Sequence, residues 1–398
     1  MNDLFEKINK DPTLRVVRVA KEQGFYPYFK PLSTTEGTEV VIDGKRLIMI
    51  GSNNYLGLTT HPAVREAAID AIAEYGTSCT GSRFLNGTLE IHKELERRLA
   101  TFLGKEAALI FGTGYQANLG ALTALLGKDD VAIADKEIHA SLVDALNMAG
   151  CKLKRYRHND LPDLERLLQE NEDASKMVIM DGVYSMGGDL APLTEITDLA
   201  KKYNARVYLD DAHGIGVMGE GGRGTHFHFN RVNEVDIVMG TFSKSFASLG
   251  GVVAGNKDVI EYIQHKARSL IFSASMPPAN VATVMACLDI IEADPDYPKR
   301  VHSNSAKVRD ALRSMGFDCG ESVTPVVPVI IGSDMNTVFA WRACFDAGIY
   351  VNPVLPPGVP PNKSLLRTSY MATHTNEQLD RVIEAFRIVG TKTGLISN

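Results

Sequence analysis

Four residues near the middle of the chain carry side chains that together match the needs of one kind of cofactor. Lys244 stands in the polar sequence Gly-Thr-Phe-Ser-Lys-Ser and can form a Schiff base with an aldehyde. Asp210 begins the sequence Asp-Asp-Ala-His and can keep a pyridine nitrogen protonated. The hydroxyls of Thr241 and Ser243 can hydrogen-bond phosphate oxygens. An aldehyde, a pyridine ring and a phosphate occur together in pyridoxal phosphate, so this set predicts a pyridoxal phosphate site.

Each of these pieces also has an ordinary structural interpretation. A lone Ser-Lys-Ser is usually a solvated loop, and short motifs match by chance in a chain of this size. The acidic pair that begins at Asp210 could simply form a turn, because Asp hydrogen-bonds its own backbone. It is the combination of Lys244 and Asp210 that favours a cofactor site over these interpretations.

Three further turns could complete such a site. Gly114 and Tyr115 lie where a predicted strand gives way to a helix, and the free N–H groups and dipole of a helix N-terminus suit a phosphate. His139 opens the next helix, and its imidazole could stack on a pyridine ring. Ser185 follows another strand, and it could donate to a phenolic oxygen together with His213. A glycine turn, a packed histidine and a turn serine are the corresponding structural interpretations.

Arg367 is the candidate for binding a substrate carboxylate. It lies among apolar neighbours in the sequence Leu-Leu-Arg-Thr-Ser, and a buried guanidinium requires an acidic partner. An amino-acid substrate offers a carboxylate that arginine can bind through two parallel hydrogen bonds, although a structural ion pair would satisfy it equally well.

Composition defines the broad class of the protein. The chain has 398 residues, of which 44% are hydrophobic and 23% charged, so it is long enough for two packed units. The net charge of −6 argues against a nucleic-acid surface. The N-terminus lacks an apolar signal-like core, and no apolar run reaches the length of a membrane span. We therefore expect a cytoplasmic protein without a membrane span, and peripheral contact with the inner membrane face is left open.

Neither a disulfide framework nor a metal site is predicted. The five cysteines are an odd number without a C-x-x-C pair, which fits a reducing compartment. His226 and His228 could share one face of a strand and bind a metal, but no carboxylate or thiolate cluster accompanies them. We therefore expect no metal.

Apolar β-rich segments alternate with helical patterns from about residue 107, which indicates an α/β fold with a mainly parallel central sheet. In such sheets ligands collect at the carboxyl ends of the strands, where the candidate residues fall. The predicted strands are Ala107–Phe111, Val131–Ala134, Met177–Asp181, Arg206–Asp210, Val235–Met239 and Gly251–Gly255.

The remaining sequence predicts three parts. Residues 1–60 form an N-terminal helix and an extended arm with a hairpin turn at Ile42-Asp-Gly-Lys45. Residues 61–290 form the large cofactor-binding domain. Residues 291–398 follow a Pro-containing break and form a small α+β C-terminal domain.

The chain resembles the fold-type I pyridoxal phosphate enzymes of the α-oxoamine synthase family over essentially its whole length. Within that family it is most similar to bacterial members that use serine. The matching motifs, in chain order, are Ser52-Asn-Asn-Tyr-Leu-Gly57, Thr80-Gly-Ser-Arg-Phe-Leu-Asn-Gly87, Asp210-Asp-Ala-His213, Gly240-Thr-Phe-Ser-Lys-Ser245, Phe272-Ser-Ala-Ser-Met276 and Leu366-Arg-Thr-Ser369.

The resemblance implies a role for each matching residue. Lys244 would bond to the cofactor and serve as the base, Asp210 would bind the pyridine nitrogen, and His139 would stack on the ring. The other implied contacts are Ser185 and His213 at the phenolic oxygen, Gly114, Tyr115, Thr241 and Ser243 at the phosphate, and Asn53, Tyr55 and Arg367 at the substrates. It also implies a homodimer with shared active sites, in which Ser273 and Ala274 of one subunit reach the phosphate of the other.

The implied reaction is a decarboxylating condensation of L-serine with a long-chain acyl thioester, palmitoyl-CoA. Its products would be 3-ketodihydrosphingosine, CoA and CO2, which is the first step of sphingolipid biosynthesis. Ser243 and Ser245 flank the lysine, as in serine-using relatives. Gly214 instead matches alanine-using relatives, so a synthase that uses alanine or glycine with another acyl thioester stays open. An aminotransferase and a non-catalytic cofactor-binding protein of the same fold stay open as well.

Overall fold

A computed structural model describes residues 5–35 and 37–396 of the chain. Its strands are β1 (Thr34–Thr35), β2 (Glu39–Ile42), β3 (Lys45–Met49), β4 (Ala107–Phe111), β5 (Val131–Asp135), β6 (Lys152–Tyr156), β7 (Lys176–Asp181), β8 (Arg206–Asp210), β9 (Ile237–Thr241), β10 (Gly251–Gly255), β11 (Val326–Gly332), β12 (Ile349–Tyr350), β13 (Asn352–Val354) and β14 (Ser364–Ser369).

The helices precede, separate and follow these strands. They are α1 (Glu6–Asn9), α2 (Pro12–Glu22), α3 (Pro62–Tyr75), α4 (Glu90–Phe102), α5 (Gly114–Leu125), α6 (Ala140–Ala149), α7 (Leu161–Glu170), α8 (Leu193–Lys202), α9 (Thr225–His228), α10 (Lys257–Lys266), α11 (Arg268–Ile271), α12 (Pro278–Ala293), α13 (Tyr297–Ser314), α14 (Asp334–Asp346) and α15 (Asn376–Thr393).

The central sheet has the order β4-β10-β9-β8-β7-β5-β6, and β10 is its antiparallel strand. Strands β5, β7, β9 and β10 are buried throughout, which explains their unbroken apolar runs. Helices α3, α4, α7, α8 and α12 cover one face, and α5, α6 and α10 cover the other. The predicted α/β fold with a mainly parallel sheet is confirmed.

The small C-terminal part contains a three-stranded antiparallel sheet of order β11-β14-β13. The arm joins this part, because β3 pairs in parallel with β12 and residues of β2 and β3 pack in the same apolar core as Trp341 and Phe386. The predicted hairpin turn lies between β2 and β3, where Asp43 and Gly44 both have positive φ, as a two-residue hairpin turn requires.

Two local features complete the description. His226 and His228 lie on the short helix α9 and not on a strand, so they do not share a strand face. His226 is buried, and its Nε2 is 3.0 Å from the carbonyl oxygen of Leu103. In the described ranges, no helix is both long and apolar enough to cross a bilayer.

Candidate functional site

A cavity of about 270 Å³ opens at the carboxyl ends of β4, β5, β7, β8 and β9. The parallel strands bring their following turns to one edge of the sheet, which is why residues far apart in sequence meet there. Predicted site residues that line the cavity are Gly114, Tyr115, His139, Asp210, His213, Thr241, Ser243 and Lys244. Asn118, Ser141 and Asp181 also line it, and sequence reasoning missed them.

Lys244 lies in the turn that follows β9, and its side chain is partly buried. Burial lowers the pKa of Lys244 to about 8, although the nearby carboxylate of Asp210 acts in the opposite direction. An amine with this pKa has a substantial neutral fraction near neutral pH. The neutral form is the one that attacks an aldehyde, so this lysine is prepared for covalent bonding to a cofactor.

Asp210 ends β8 and is fixed by two donors. The side-chain amide of Asn118 donates to its Oδ2 at 2.7 Å, and the backbone N–H of Ala212 donates to Oδ1 at 3.1 Å. Asn118 is itself buried, and its Oδ1 accepts from the hydroxyl of Tyr208 at 2.8 Å. Asp210 therefore presents a carboxylate in a fixed orientation at the base of the cavity. The signal in the sequence was an amide among small and apolar residues of α5, in Ala117-Asn-Leu-Gly-Ala121.

A second carboxyl group, Asp181, lies beside Asp210 at the end of β7. Burial and the neighbouring negative charge of Asp210 both raise the pKa of Asp181 well above its ordinary value. Its Oδ1 accepts from the backbone N–H of His139 at 3.3 Å and so helps to place that residue at the start of α6. The imidazole of His139 is exposed and lines the cavity, with Nδ1 2.7 Å from the hydroxyl of Ser141.

The opposite end of the cavity has the properties of an anion site. Helix α5 begins at Gly114, and the first N–H groups of a helix have no partner within it. A Cβ on Gly114 would lie 2.8 Å from Oγ1 of Thr241, so the helix can approach the Thr241 turn this closely only with glycine. The hydroxyls of Thr241 and Ser243 are 2.9 Å apart. The hydroxyl of Tyr115, in contrast, hydrogen-bonds to Asp144.

A chain of hydrogen bonds connects the cavity to the predicted substrate residues. Nδ1 of His213 is 2.7 Å from the hydroxyl of Tyr55, which in turn is 3.3 Å from Nη2 of Arg367. The same hydroxyl is 3.4 Å from Oδ1 of Asn53. Nε of Arg367 donates to the backbone carbonyl of Ser185 at 2.6 Å. These residues, which come from four separate regions of the sequence, are thus brought together, although Asn53, Tyr55, Ser185 and Arg367 do not line the cavity itself.

This chain of hydrogen bonds also defines the tautomer of His213. Burial, and then the positive charge of Lys244, lower the pKa of His213 well below its ordinary value, so the imidazole is neutral. Arg367 can only donate, so the oxygen of Tyr55 accepts from it. Two acceptors are left for the hydroxyl proton of Tyr55, and Nδ1 of His213 at 2.7 Å is nearer than Oδ1 of Asn53 at 3.4 Å, so we assign the proton to the contact with His213. Nε2 of His213 then carries the remaining proton and is a donor.

Ser273 and Ala274 lie near the start of α5. The hydroxyl of Ser273 accepts from the amide of Gln116 at 3.0 Å, and Ala274 is exposed. Neither residue lines the cavity of its own chain. Both are therefore placed at the surface next to the anion site and outside the cavity.

The cavity fits pyridoxal phosphate in its charges and donors. It combines a lysine of lowered pKa, a carboxylate held rigidly by two donors, and an anion site at a helix N-terminus whose glycine leaves no room for a Cβ. These are the groups required by an aldehyde, a pyridine nitrogen and a phosphate, respectively.

Comparison with known proteins independently indicates a pyridoxal phosphate enzyme. The profile of the family described as aminotransferase class I and II matches residues 45–386. The chain belongs to the aminotransferase class I and II family. This family depends on pyridoxal phosphate, so the predicted cofactor and fold-type I fold are confirmed.

Relatives within this family specify the resemblance further. A serine palmitoyltransferase of Bacteriovorax stolpii is 51% identical over 368 residues, which cover 92% of this chain and 88% of the relative. An 8-amino-7-oxononanoate synthase of Thermoanaerobacter pseudethanolicus is 42% identical and covers 94% of this chain and 96% of its own length. A solved structure of a serine palmitoyltransferase variant from S. paucimobilis with a bound PLP–myriocin aldimine has a TM-score of 0.96 at 36% identity, covering 99% of this chain and all of that one. The suspected resemblance to bacterial serine palmitoyltransferases is confirmed.

Proposed function

We propose that this chain is a pyridoxal phosphate-dependent acyltransferase that condenses L-serine with palmitoyl-CoA. One CoA and one CO2 are released, and the product is 3-ketodihydrosphingosine. The carrying observation is the hydrogen-bonded path from His213 through Tyr55 to Arg367, which joins a cofactor site to a guanidinium that can bind an amino-acid carboxylate. The 51% identity to a serine palmitoyltransferase supports serine and palmitoyl-CoA as the substrates.

The residues that would hold the cofactor divide between its two ends. Lys244 would bond to its aldehyde carbon, Asp210 would hold its ring nitrogen in the protonated form, and His139 would lie over the ring. Nε2 of His213 and the hydroxyl of Ser185 would donate to the phenolic oxygen. The phosphate would lie at Gly114, Tyr115, Thr241 and Ser243.

In the reaction, residues of this chain would bind the substrate carboxylate, transfer protons and stabilise the charge on the ring nitrogen. When bound, pyridoxal phosphate supplies an electron-withdrawing ring that stabilises negative charge at the Cα atom of an amino acid. Arg367 would bind the carboxylate of serine through the guanidinium N–H groups that Ser185 and Tyr55 do not engage. Lys244, as a neutral amine, would take the Cα proton and later return a proton to the product. The carboxylate of Asp210 would keep the ring nitrogen protonated during these steps.

A synthase that uses alanine or glycine is the second candidate, and the 42% identity to an 8-amino-7-oxononanoate synthase keeps it relevant. Gly214 was the sequence feature in its favour. A Cβ at this position would lie 1.9 Å from Oδ1 of Asp211 and 2.4 Å from Oγ1 of Thr225. Gly214 also does not line the cavity. Packing against Asp211 accounts for this glycine, so it does not indicate which amino acid is used.

The proposal includes a homodimer in which Ser273 and Ala274 reach the phosphate site of the partner subunit. Support comes from the surface around them. Both N and Oγ of Ser275 hydrogen-bond to the carbonyl of Gly81, so the 80–87 and 272–276 segments lie side by side. They present exposed apolar side chains, with Phe84 55%, Leu85 76% and Phe272 73% exposed. An exposed apolar group of this kind next to an active site suits a subunit interface.

Mixing experiments test the shared site. Neither Lys244→Ala nor Ser273→Trp homodimers should turn over, but a mixed dimer would contain one site with both wild-type residues. Partial recovery of activity after the two variants are mixed and have exchanged subunits supports the shared site. No recovery, when subunit exchange has been demonstrated, contradicts it.

A cytoplasmic location stays a prediction.

The first test of function is an absorbance titration of the purified holoprotein with L-serine, L-alanine and glycine. Thiol release from palmitoyl-CoA and from short-chain acyl-CoA thioesters is then measured with the preferred amino acid. A spectral change at low serine concentration and thiol release only with palmitoyl-CoA support the proposal. Preference for alanine or glycine with short thioesters would identify the second candidate. Loss of the visible band on addition of the amino acid, followed by its return on addition of a keto acid acceptor and without thiol release, would identify an aminotransferase.

A further inference from the structure

His158 is a partly buried charged group beside the site that the proposed chemistry does not use. It follows β6, and its ring lies between two carboxylates: Nδ1 is 3.0 Å from Oδ1 of Asp135 and Nε2 is 2.9 Å from Oδ2 of Asp189. The ring also meets the ring of Tyr184 edge to face, with centroids 4.3 Å apart. Burial alone would lower the pKa of His158, but the hydrogen bonds to Asp135 and Asp189 outweigh it and raise the pKa to about 10.

The two carboxylates belong to two different elements next to the site. Asp135 is fully buried and is the last residue of β5, four residues before His139. Asp189 lies in the turn after β7, within residues 183–190, which we call the 183–190 hairpin because Val183 and Leu190 form a bridge at its base. Asn159 reinforces this link, since its N–H donates to Asp135 at 2.9 Å and its side-chain amide donates to Asp189 and to the carbonyl of Leu190, each at 3.1 Å.

The 183–190 hairpin connects the large domain to the small one. Its Gly188 carbonyl accepts from Oγ1 of Thr324 at 2.9 Å, and a Cβ on Gly188 would lie 2.1 Å from the carbonyl oxygen of Val326. Val326 begins β11, which pairs with the strand β14 that carries Arg367. The hairpin itself contributes the Ser185 carbonyl that accepts from Nε of Arg367 at 2.6 Å.

We propose that His158 is a positioning residue: held between Asp135 and Asp189, it fixes the 183–190 hairpin, and through the Ser185 carbonyl it orients the Arg367 guanidinium for the amino-acid carboxylate. A charged imidazolium suits this role because it donates from both ring nitrogens at once, whereas neutral imidazole can donate from only one. It also offsets two carboxylates that would otherwise repel each other across the gap. The inference rests on the proposed carboxylate-binding role of Arg367.

The test is the dissociation constant of the holoprotein for L-serine, L-alanine and glycine, measured from the visible absorbance. His158→Gln keeps a polar side chain but loses the positive charge and one of the two donors. We expect all three dissociation constants to rise by about tenfold and by the same factor, because the three ligands share the carboxylate. The matched control is His265→Gln on the exposed surface of α10, which should change none of them.

A double-mutant cycle distinguishes orientation of Arg367 from a purely structural effect. If His158 acts through Arg367, the loss of amino-acid affinity caused by His158→Gln should largely disappear when it is made in an Arg367→Lys variant. Additive losses, or unchanged dissociation constants in His158→Gln, would overturn the proposal. If His158→Gln does not fold, Asp189→Asn makes the same test from the hairpin side, since it removes one carboxylate charge and keeps the shape.

Ring signals of isotope-labelled histidine provide a readout that does not depend on turnover. The His158 ring should keep the signature of an imidazolium from about pH 6 to about pH 8.5 in the wild-type protein, in line with its raised pKa. Titration to the neutral form near pH 6.5 would contradict the charged bridge between the two carboxylates. If the protein prefers alanine or glycine, the proposed function fails, but the ratio of variant to wild-type affinity still tests His158.

Discussion

The hydroxyl of Tyr55 lies 2.7 Å from Nδ1 of His213, and this contact joins the arm to the cofactor cavity. Tyr55 is 1% exposed, and burial raises the pKa of its hydroxyl, which therefore stays protonated. Because Nη2 of Arg367 also donates to this oxygen, one hydroxyl hydrogen-bonds both the His213 imidazole and the Arg367 guanidinium.

Removal of this hydroxyl should weaken amino-acid binding more than cofactor binding. In Tyr55→Phe, Arg367 loses an acceptor and Nδ1 of His213 loses its donor. We expect serine affinity to fall by about 1.4 kcal/mol, a factor of roughly ten, while the visible absorbance band is retained. Absorbance titration with serine measures the change. Tyr262→Phe, which alters an exposed tyrosine on α10, is the control. Unchanged serine affinity would show that the Tyr55 hydroxyl is not needed.

Lys244→Ala should abolish the visible cofactor band and all turnover while leaving the fold intact. When the lysine is removed, the buried carboxylate of Asp210 keeps both of its hydrogen-bond donors, the amide of Asn118 and the N–H of Ala212, so it is not left without a partner. Thermal melting of the apo form should stay close to that of wild-type apoprotein, and Lys266→Ala on exposed α10 should keep both band and activity. An active Lys244→Ala protein would contradict the assignment of the whole site.

The pKa of about 8 for Lys244 predicts the pH dependence of cofactor attachment. Below this pKa the lysine is mainly protonated, and the neutral fraction falls tenfold for each further pH unit. The rate at which apoprotein bonds to added pyridoxal phosphate should therefore rise with pH and level off above about pH 8. Stopped-flow absorbance from about pH 6.5 to 9.5 measures it. A rate that still rises steeply toward pH 10 would indicate an ordinary lysine pKa.

The sequence predicted the central sheet well because its strands are buried on both faces. β4, β8 and β10 begin and end where the apolar runs do. β6 was missed because its sequence, Lys-Leu-Lys-Arg-Tyr, lies at the sheet edge and is largely exposed, so no apolar run marks it. The strand predicted at Val235–Met239 is Ile237–Thr241, and the side chain of Asp236, just before it, accepts from the N–H of Val207.

Candidate site residues could be predicted from the sequence where the side chain itself has the reactivity or charge that a cofactor requires. Lys244 and Asp210 are of this kind. Asn118 and His158 act on other protein groups, and their roles depend on long-range contacts that no local pattern encodes. The sequence did not decide whether the partner of Arg367 is a substrate carboxylate or a carboxylate of the protein. Among the described residues, the hydrogen-bond partners of Arg367 are the carbonyl of Ser185 and the hydroxyl of Tyr55, with no carboxylate among them.

Asn118→Leu should release the cofactor more easily. Leucine has nearly the same volume, but Asp210 would lose its side-chain donor and keep the backbone N–H of Ala212. A hydrogen bond to a charged group contributes about 1.5–3 kcal/mol, so the dissociation constant for pyridoxal phosphate should rise roughly ten- to a hundredfold. Equilibrium dialysis followed by absorbance measures it. Thr123→Val, on the same helix, is the control, because its hydroxyl donates only to the helix carbonyl of Leu119. Unchanged cofactor affinity in Asn118→Leu would show that the amide is not needed to hold Asp210.

Gly214→Ala should destabilise the protein without changing which amino acid it prefers. The new Cβ would lie 1.9 Å from Oδ1 of Asp211, and the buried Asp211 carboxyl is held by the N–H and hydroxyl of Thr225, so neither side can move without breaking a contact. We expect a loss of about 1–3 kcal/mol in the free energy of unfolding, measured by denaturant titration of the apoprotein. Gly127→Ala is the control, because the nearest atom to its Cβ is 3.8 Å away. A stable variant that now prefers serine, in a protein whose wild type prefers alanine, would show that Gly214 does select the substrate.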